Sequence, residues 1–273
     1  MAFSIRTNVA SLNAQKNLFN NTQSLEKSMS SLSSGMRITK ASDDAAGLGV
    51  SVSLEAQIRS YQQAGRNAQD GLSMVQTAEG AMNEVSNILV RMREIATESA
   101  SDALTTSQRE FMDLEKSELN SELDRLSDQI QFNGTNLLDG TAGTLTFQVG
   151  AQTSDTITVD FSTIKISSTD LSLSTDIKSL ANAQTAIGQI DTAVQNVSLY
   201  RATLGAKANR FTTAVNTISN AVESLSSANS RVRDADVAEE SARMARSQVL
   251  QQAAVSVTAQ ANQQPQLALK LLG

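Results

Sequence analysis

Residues 187–232 read IGQIDTAVQNVSLYRATLGAKANRFTTAVNTISNAVESLSSANSRV, and their spacing governs the reading of the whole chain. Ile187, Ile190, Val194, Val197, Leu204, Ala208, Phe211, Val215, Ile218, Val222, Leu225 and Val232 recur at alternating three- and four-residue steps. Arg201 and Asn229 are the polar members of that register. A repeat of seven residues keeps one seam of a helix facing a neighbour, because about 3.5 residues then complete each supercoiled turn. The stretch therefore predicts one long helix that requires a partner.

The same spacing occurs in the first half of the chain, at Leu54, Ile58, Tyr61, Ala68, Leu72, Val75, Ala78, Met82, Val85, Leu89, Met92 and Ala96, with one irregular step near Val75. A second helix is predicted over about residues 45–100. Met112, Leu119, Leu123, Leu126 and Ile130 form a shorter third stripe after the polar break SASDALTTS. Three such stripes bury one another as a bundle. Between them the pattern changes: Leu145, Phe147 and Val149, then Ile157, Val159 and Phe161, alternate with polar residues, and Gly150 and Asp155 supply turn chemistry. This segment, at about 141–176, is too short for a sheet domain and reads as β-hairpins capping the bundle.

Both ends carry helical stripes of their own. Ile5, Val9, Leu12, Phe19, Leu25, Met29, Leu32 and Met36 mark one terminus, and Leu250, Ala254, Val257, Ala261, Ala268 and Leu272 mark the other. Neither buries enough to fold alone, so each needs the other terminus and neighbouring molecules. The polar face of the last arm, with Gln251, Gln252, Gln260, Asn262, Gln263 and Gln264, is uncharged. The predicted fold is mainly α: a long antiparallel coiled-coil-like helical bundle with a small β-hairpin segment and paired terminal helices.

Composition removes most chemistry. The 273 residues include no His, Cys or Trp, which leaves no zinc site of the usual kind, no thiol nucleophile and no imidazole base. No catalytic residue, metal or cofactor is predicted, and the chain is not expected to be an enzyme. A net charge of −6, with 22 scattered basic residues, disfavours nucleic acid. No apolar run is long enough for membrane insertion, and the first residues, MAFSIRTNVASLNAQ, lack a secretory signal pattern.

Longer motifs then accumulate in order: LSSGMRITKASDDAAGLGVS at 32–51, DGLSMVQTAEGAMNEVSNILVRMREIA at 70–96, QFNGTNLLDG, RATLGAKANRFTTAVNTISN, SSANSRVRDADVAEE and QAAVSVTAQANQQPQLALKLL. Together they resemble bacterial flagellin over nearly all of the chain outside about 141–185, in a minimal form without large central variable domains. The resemblance implies an inner channel-lining domain of 1–44 plus 233–273 and an outer helical bundle of 45–232. It implies a secreted subunit of the extracellular flagellar filament, exported by a type III route and polymerising with itself for motility. An export chaperone, a filament cap and hook–filament junction proteins are implied partners. Recognition of the monomer by the vertebrate Toll-like receptor for flagellin would map onto Arg91, Ile95 and Glu115. The polymerisation seam is expected at Ile5, Val9, Leu12, Leu25 and Leu32 against Leu250, Ala254, Val257, Ala261 and Leu272.

Asp43 and Asp44 could pass for a metal or acid pair, but a capping role is the stronger reading. One of them is expected to cap the helix beginning near Ala45, where free amides and the positive helix end favour a carboxylate. Gly35 reads as a backbone bend between domains. Arg231, Arg233, Asp234 and Asp236 read equally well as boundary charge pairs or as solvated charges. Two rival functions remain at this stage: a junction protein used in few copies, and a soluble monomeric ligand.

Overall fold

A computed structural model describes residues 7–272 of the chain, with side chains described through residue 263. The elements are α1 (Val9–Ser34), α2 (Ala45–Ser99), α3 (Thr106–Gln129), β1 (Gln131–Phe132), β2 (Thr135–Asn136), β3 (Thr144–Gln148), β4 (Thr156–Asp160), α4 (Leu180–Arg233) and α5 (Val237–Leu272). They fall into two compact units, residues 57–223 and residues 1–56 with 224–273. The two long helices α2 and α4 contribute to both.

Helix ends follow local chemistry. Asn8 caps α1 by accepting from the Ser11 amide, and Gly35 at φ +71° ends it in the left-handed conformation that suits glycine. Thr105 and Gln108 form a reciprocal capping box at α3. Asp236 opens α5 by accepting from the amides of Ala238 (2.8 Å) and Glu239 (3.2 Å), and Glu239 and Glu240 add negative charge to its first turn.

In the 57–223 unit, α2 and α4 run antiparallel, since Gly65 lies beside Ile218, Gly71 beside Phe211, and Arg93 pairs with Asp191 at 2.6 Å. The buried register of α2 is Ala64, Ala68, Gly71, Val75, Ala78, Met82, Val85, Leu89, Met92 and Ala96, an unbroken alternation of four and three. The irregular step expected near Val75 is absent. Gly71, not Leu72, holds the core position, because the Phe211 ring fills the space a side chain there would occupy; Leu72 packs at the half-buried margin.

A similar substitution governs α3, which runs back along α2. Its stripe reads Met112, Lys116, Leu119, Leu123, Leu126 and Ile130, with Lys116 only 3% exposed. The Lys116 ammonium donates to the carbonyls of Leu173 (2.6 Å) and Thr175 (2.9 Å). Around it, Asn120 donates to Leu173, Asp113 accepts from the Ile177 amide, and Asp124 accepts from the amide and hydroxyl of Ser168. These bonds hold residues 162–178 over the helices as an irregular strap whose Ile164, Ile166, Leu171, Leu173 and Ile177 are buried. Its backbone polar groups are matched by these side chains together with local turn bonds and the amide of Ile166 on the Leu138 carbonyl, without a sheet.

The strand segment is accordingly one hairpin rather than several. β3 and β4 pair antiparallel from Thr144 opposite Asp160 to Gln148 opposite Thr156. Phe147 meets Phe211 edge-on at 5.4 Å, and Asn67 donates to the Gln148 carbonyl, which fastens the hairpin to the helices. A second pairing, β1 with β2, lies just upstream in QFNGTN, ahead of the expected strand region.

Candidate assembly interface

The 1–56 and 224–273 unit centres on α1 and α5 packed along each other. Asn8 donates to the Ala261 carbonyl and Ser11 to Asn262, while at the other end the Ala235 amide donates to Gly35; the helices are antiparallel. The register of less exposed positions is Ser11, Ala14, Leu18, Asn21, Leu25, Ser28 and Leu32 in α1, with Ser31 buried beside it, and Met244, Ser247, Gln251, Ala254, Thr258 and Ala261 in α5. Both series keep three- and four-residue steps, but small and polar side chains dominate them. Small side chains permit close approach while burying little apolar area, so this seam yields little hydrophobic stabilisation.

Many of the large apolar side chains face the other way. Val9 is 61% exposed, Leu12 56%, Leu250 45% and Val257 56%, and Phe19, Met29, Val237, Val249 and Val255 are likewise exposed. Of the residues expected at the assembly seam, Leu25, Leu32, Ala254 and Ala261 therefore sit within the α1–α5 pair, whereas Val9, Leu12, Leu250 and Val257 lie outside it. Ile5 and the Leu272 side chain fall outside the described residues. Phe19, Met29, Val249 and Val255 join the outward set; their signal in the sequence is that they flank the small-residue register. Concentrated exposed apolar surface marks an interaction face.

The chain between α1 and α2 folds into a charged turn. Asp44 caps α2, its carboxylate accepting from the Gly47 amide at 2.8 Å. Asp43 instead accepts from the amides of Thr39 and Lys40 and pairs with Lys27 at 2.8 Å. The Lys27 ion pair, followed by the bonds from Lys40 and Thr39, holds the Asp43 carboxyl well below the usual carboxylate range. Nearby, Met36 and Asp234 form a β-bridge, the Arg37 amide donates to Arg233 and its guanidinium to the Val232 carbonyl. Ser51, fully buried, donates to Asn229, and Arg233 pairs with Glu55 at 3.2 Å. Asn229, a polar exception in the α4 register, is thus a buried hydroxyl's partner.

On the 57–223 unit, Arg91 bonds Glu115 through Nε (2.9 Å) and Nη2 (2.7 Å) and also reaches Glu94. Glu115, then Glu94, raises the Arg91 pKa. The pair is about half exposed on both sides, so its net stabilisation is small. Ile95 is only 2% exposed and faces the core. It is therefore not part of an Arg91 and Glu115 surface, because its helical position points its side chain inward. Among the described residues no cluster of three or more acidic groups could hold a metal ion, and no helix is long and apolar enough to cross a membrane.

The family model for the bacterial flagellin N-terminal helical region matches residues 5–143, and that for the C-terminal helical region matches residues 187–272. The flagellin of Halalkalibacterium halodurans is 43% identical over 269 residues, which is 98% of this chain and 99% of that one. The flagellin of Bacillus subtilis is 37% identical over 304 aligned residues, again 98% of this chain and 99% of the relative. Among solved structures, the crystal structure of Bacillus cereus flagellin matches with a TM-score of 0.51 at 33% identity, covering 56% of this chain and 88% of that one. The paired terminal helices, the long antiparallel bundle and these matches at both ends have one meaning: the chain belongs to the bacterial flagellin family.

Proposed function

We propose that copies of this chain polymerise through the outward apolar face of the α1–α5 pair. As a flagellin the chain is a structural protein and not an enzyme, a subunit of the flagellar filament that serves motility. The observation that carries the proposal is the pattern of the terminal helices: mostly small or polar residues, with a few leucines, inside the pair, and Val9, Leu12, Phe19, Leu250 and Val257 outside it. Burying such side chains contributes about 1.5–3 kcal/mol each, which only a neighbour can realise. When this face meets a different part of a neighbour the contact is heterologous, and such contacts build an open helical assembly where the rotation does not close.

In this reading residues 1–44 with 233–273 line the channel and 45–232 form the outer wall, following the family resemblance. The uncharged Gln252, Gln260 and Asn262, all exposed, suit a passage without strong attraction for charged cargo. Secretion through the flagellar type III apparatus, an export chaperone, a filament cap and hook–filament junction proteins complete the set of proposed partners. Recognition by the Toll-like receptor for flagellin would rest on Arg91 and Glu115, whose exposed guanidinium and carboxylate can exchange their mutual bond for a partner's.

The test is seeded growth. Full-length protein added to filament fragments and imaged by electron microscopy should extend them as hollow filaments, and a chain lacking residues 237–273 should not. Full-length protein that stays monomeric under all seeding conditions would overturn the proposal.

A further inference from the structure

We infer that Asn133 is a spontaneous modification site, the one asparagine among the described residues poised to cyclise and become aspartate or isoaspartate. Chemistry requires an asparagine amide, a following residue whose backbone nitrogen can reach it, and freedom of both from competing bonds. Glycine is the most permissive following residue because it has no Cβ to obstruct the approach.

Only Asn133 is followed by glycine, and Asp70–Gly71 and Asp139–Gly140 are the two corresponding aspartate pairs. The structure separates the three. Asn133 (φ +49°) and Gly134 (φ +79°) form the two-residue turn between Phe132 and Thr135, the mirror-image kind that Asn-Gly favours. Both are exposed, and a Cβ at Gly134 would meet nothing within 4 Å. Among the described residues the Asn133 side chain makes no hydrogen bond and the Gly134 amide has no backbone acceptor.

The aspartate pairs are guarded. Gly71 lies inside α2, where helical hydrogen bonding engages its amide. Asp139 accepts from the Thr141 amide (2.8 Å), the Thr141 hydroxyl (2.7 Å) and Asn136 (3.0 Å). Burial would raise its pKa, but these bonds outweigh burial, and they hold the carboxylate in a fixed turn that unfolding releases. The remaining asparagines outside helices, Asn8 and Asn136, have engaged side chains.

The step balances without redox. The Gly134 nitrogen loses its proton to hydroxide and bonds to Asn133 Cγ, and the amide nitrogen leaves as ammonia. Water then opens the imide at either carbonyl. One opening leaves aspartate; the other leaves isoaspartate, whose extra backbone methylene is incompatible with the Phe132 and Thr135 register. The product therefore loosens the β1–β2 hairpin, whose chain continues directly into the fully buried Leu137 and Leu138.

The experiment incubates the full chain at mildly alkaline pH, folded and in urea, and follows the tryptic fragment 126–165 by mass spectrometry with isoaspartyl methyltransferase labelling. In the folded chain Asn133 should convert before any other asparagine, with Asp139 intact; in urea Asp139 should begin to isomerise. Asn133→Gln, with its fold checked by circular dichroism, should abolish labelling of the folded fragment. Earlier conversion at another asparagine, equal isomerisation at Asp139 in the folded chain, or an intact Asn133 over the time in which the urea-treated chain converts would each overturn the inference.

Discussion

Phe211 occupies the room that a side chain at Gly71 would need: a Cβ built there would lie 2.6 Å from the Phe211 ring and 3.2 Å from Phe147. The two rings meet edge-on, so this glycine joins α2, α4 and the β3–β4 hairpin.

Gly71→Ala is therefore expected to destabilise the 57–223 unit by about 1–3 kcal/mol, as overpacking does, despite alanine's better helix propensity. Gly80→Ala and Gly188→Ala, where a Cβ would meet nothing within 4 Å, should instead stabilise by about 0.4–1 kcal/mol. Urea unfolding of the three variants checks both signs.

Leu250→Asp or Val257→Asp should leave the fold intact, since each side chain is exposed and surface changes usually stay within about 0.5 kcal/mol. Polymerisation should nevertheless be lost, because a charge would be buried without a partner at each contact. Far-ultraviolet circular dichroism and seeded growth, measured on the same samples, separate the two effects; filaments of normal length from either variant would contradict the interface.

Lys116→Met should cost about 1–3 kcal/mol, because the Leu173 and Thr175 carbonyls lose their donor while buried. Burial lowers the Lys116 pKa, although Asp113 and Asp176 oppose the shift. Between the lowered folded value and the ordinary lysine value the unfolded chain binds more protons, so this group adds stability as pH rises through that window. The wild type should gain on the Met variant there in chemical unfolding at graded pH.

Asp43→Ala should free the Thr39 and Lys40 amides, seen as faster hydrogen exchange at those two positions at neutral pH. In the wild type the folded carboxyl is depressed, so its contribution is present above the usual carboxylate pKa and is lost only as pH falls through the lower folded value. Exchange protection at Thr39 and Lys40 should accordingly persist into strongly acidic solution.

The sequence by itself determined the helices. Seven-residue spacing along α2, α3 and α4 specifies which faces are buried, because a helix repeats its faces whatever lies opposite. Caps were legible for the same local reason, down to an aspartate ahead of Ala45. The flagellin motifs carried the family. What spacing could not supply was which of two adjacent positions faces inward when the larger side chain is not the buried one. Leu72 yields its place to Gly71 because Phe211 arrives from α4, and Lys116 enters a core stripe because carbonyls of the 162–178 strap await it. Along α1 and α5 the tertiary structure turned Leu12, Leu250 and Val257 outward and serines and alanines inward. The physical reason is common to all three: burial is decided by the shape and hydrogen-bonding needs of the opposing surface, which lies far away in sequence, whereas periodicity records only each helix's own residues.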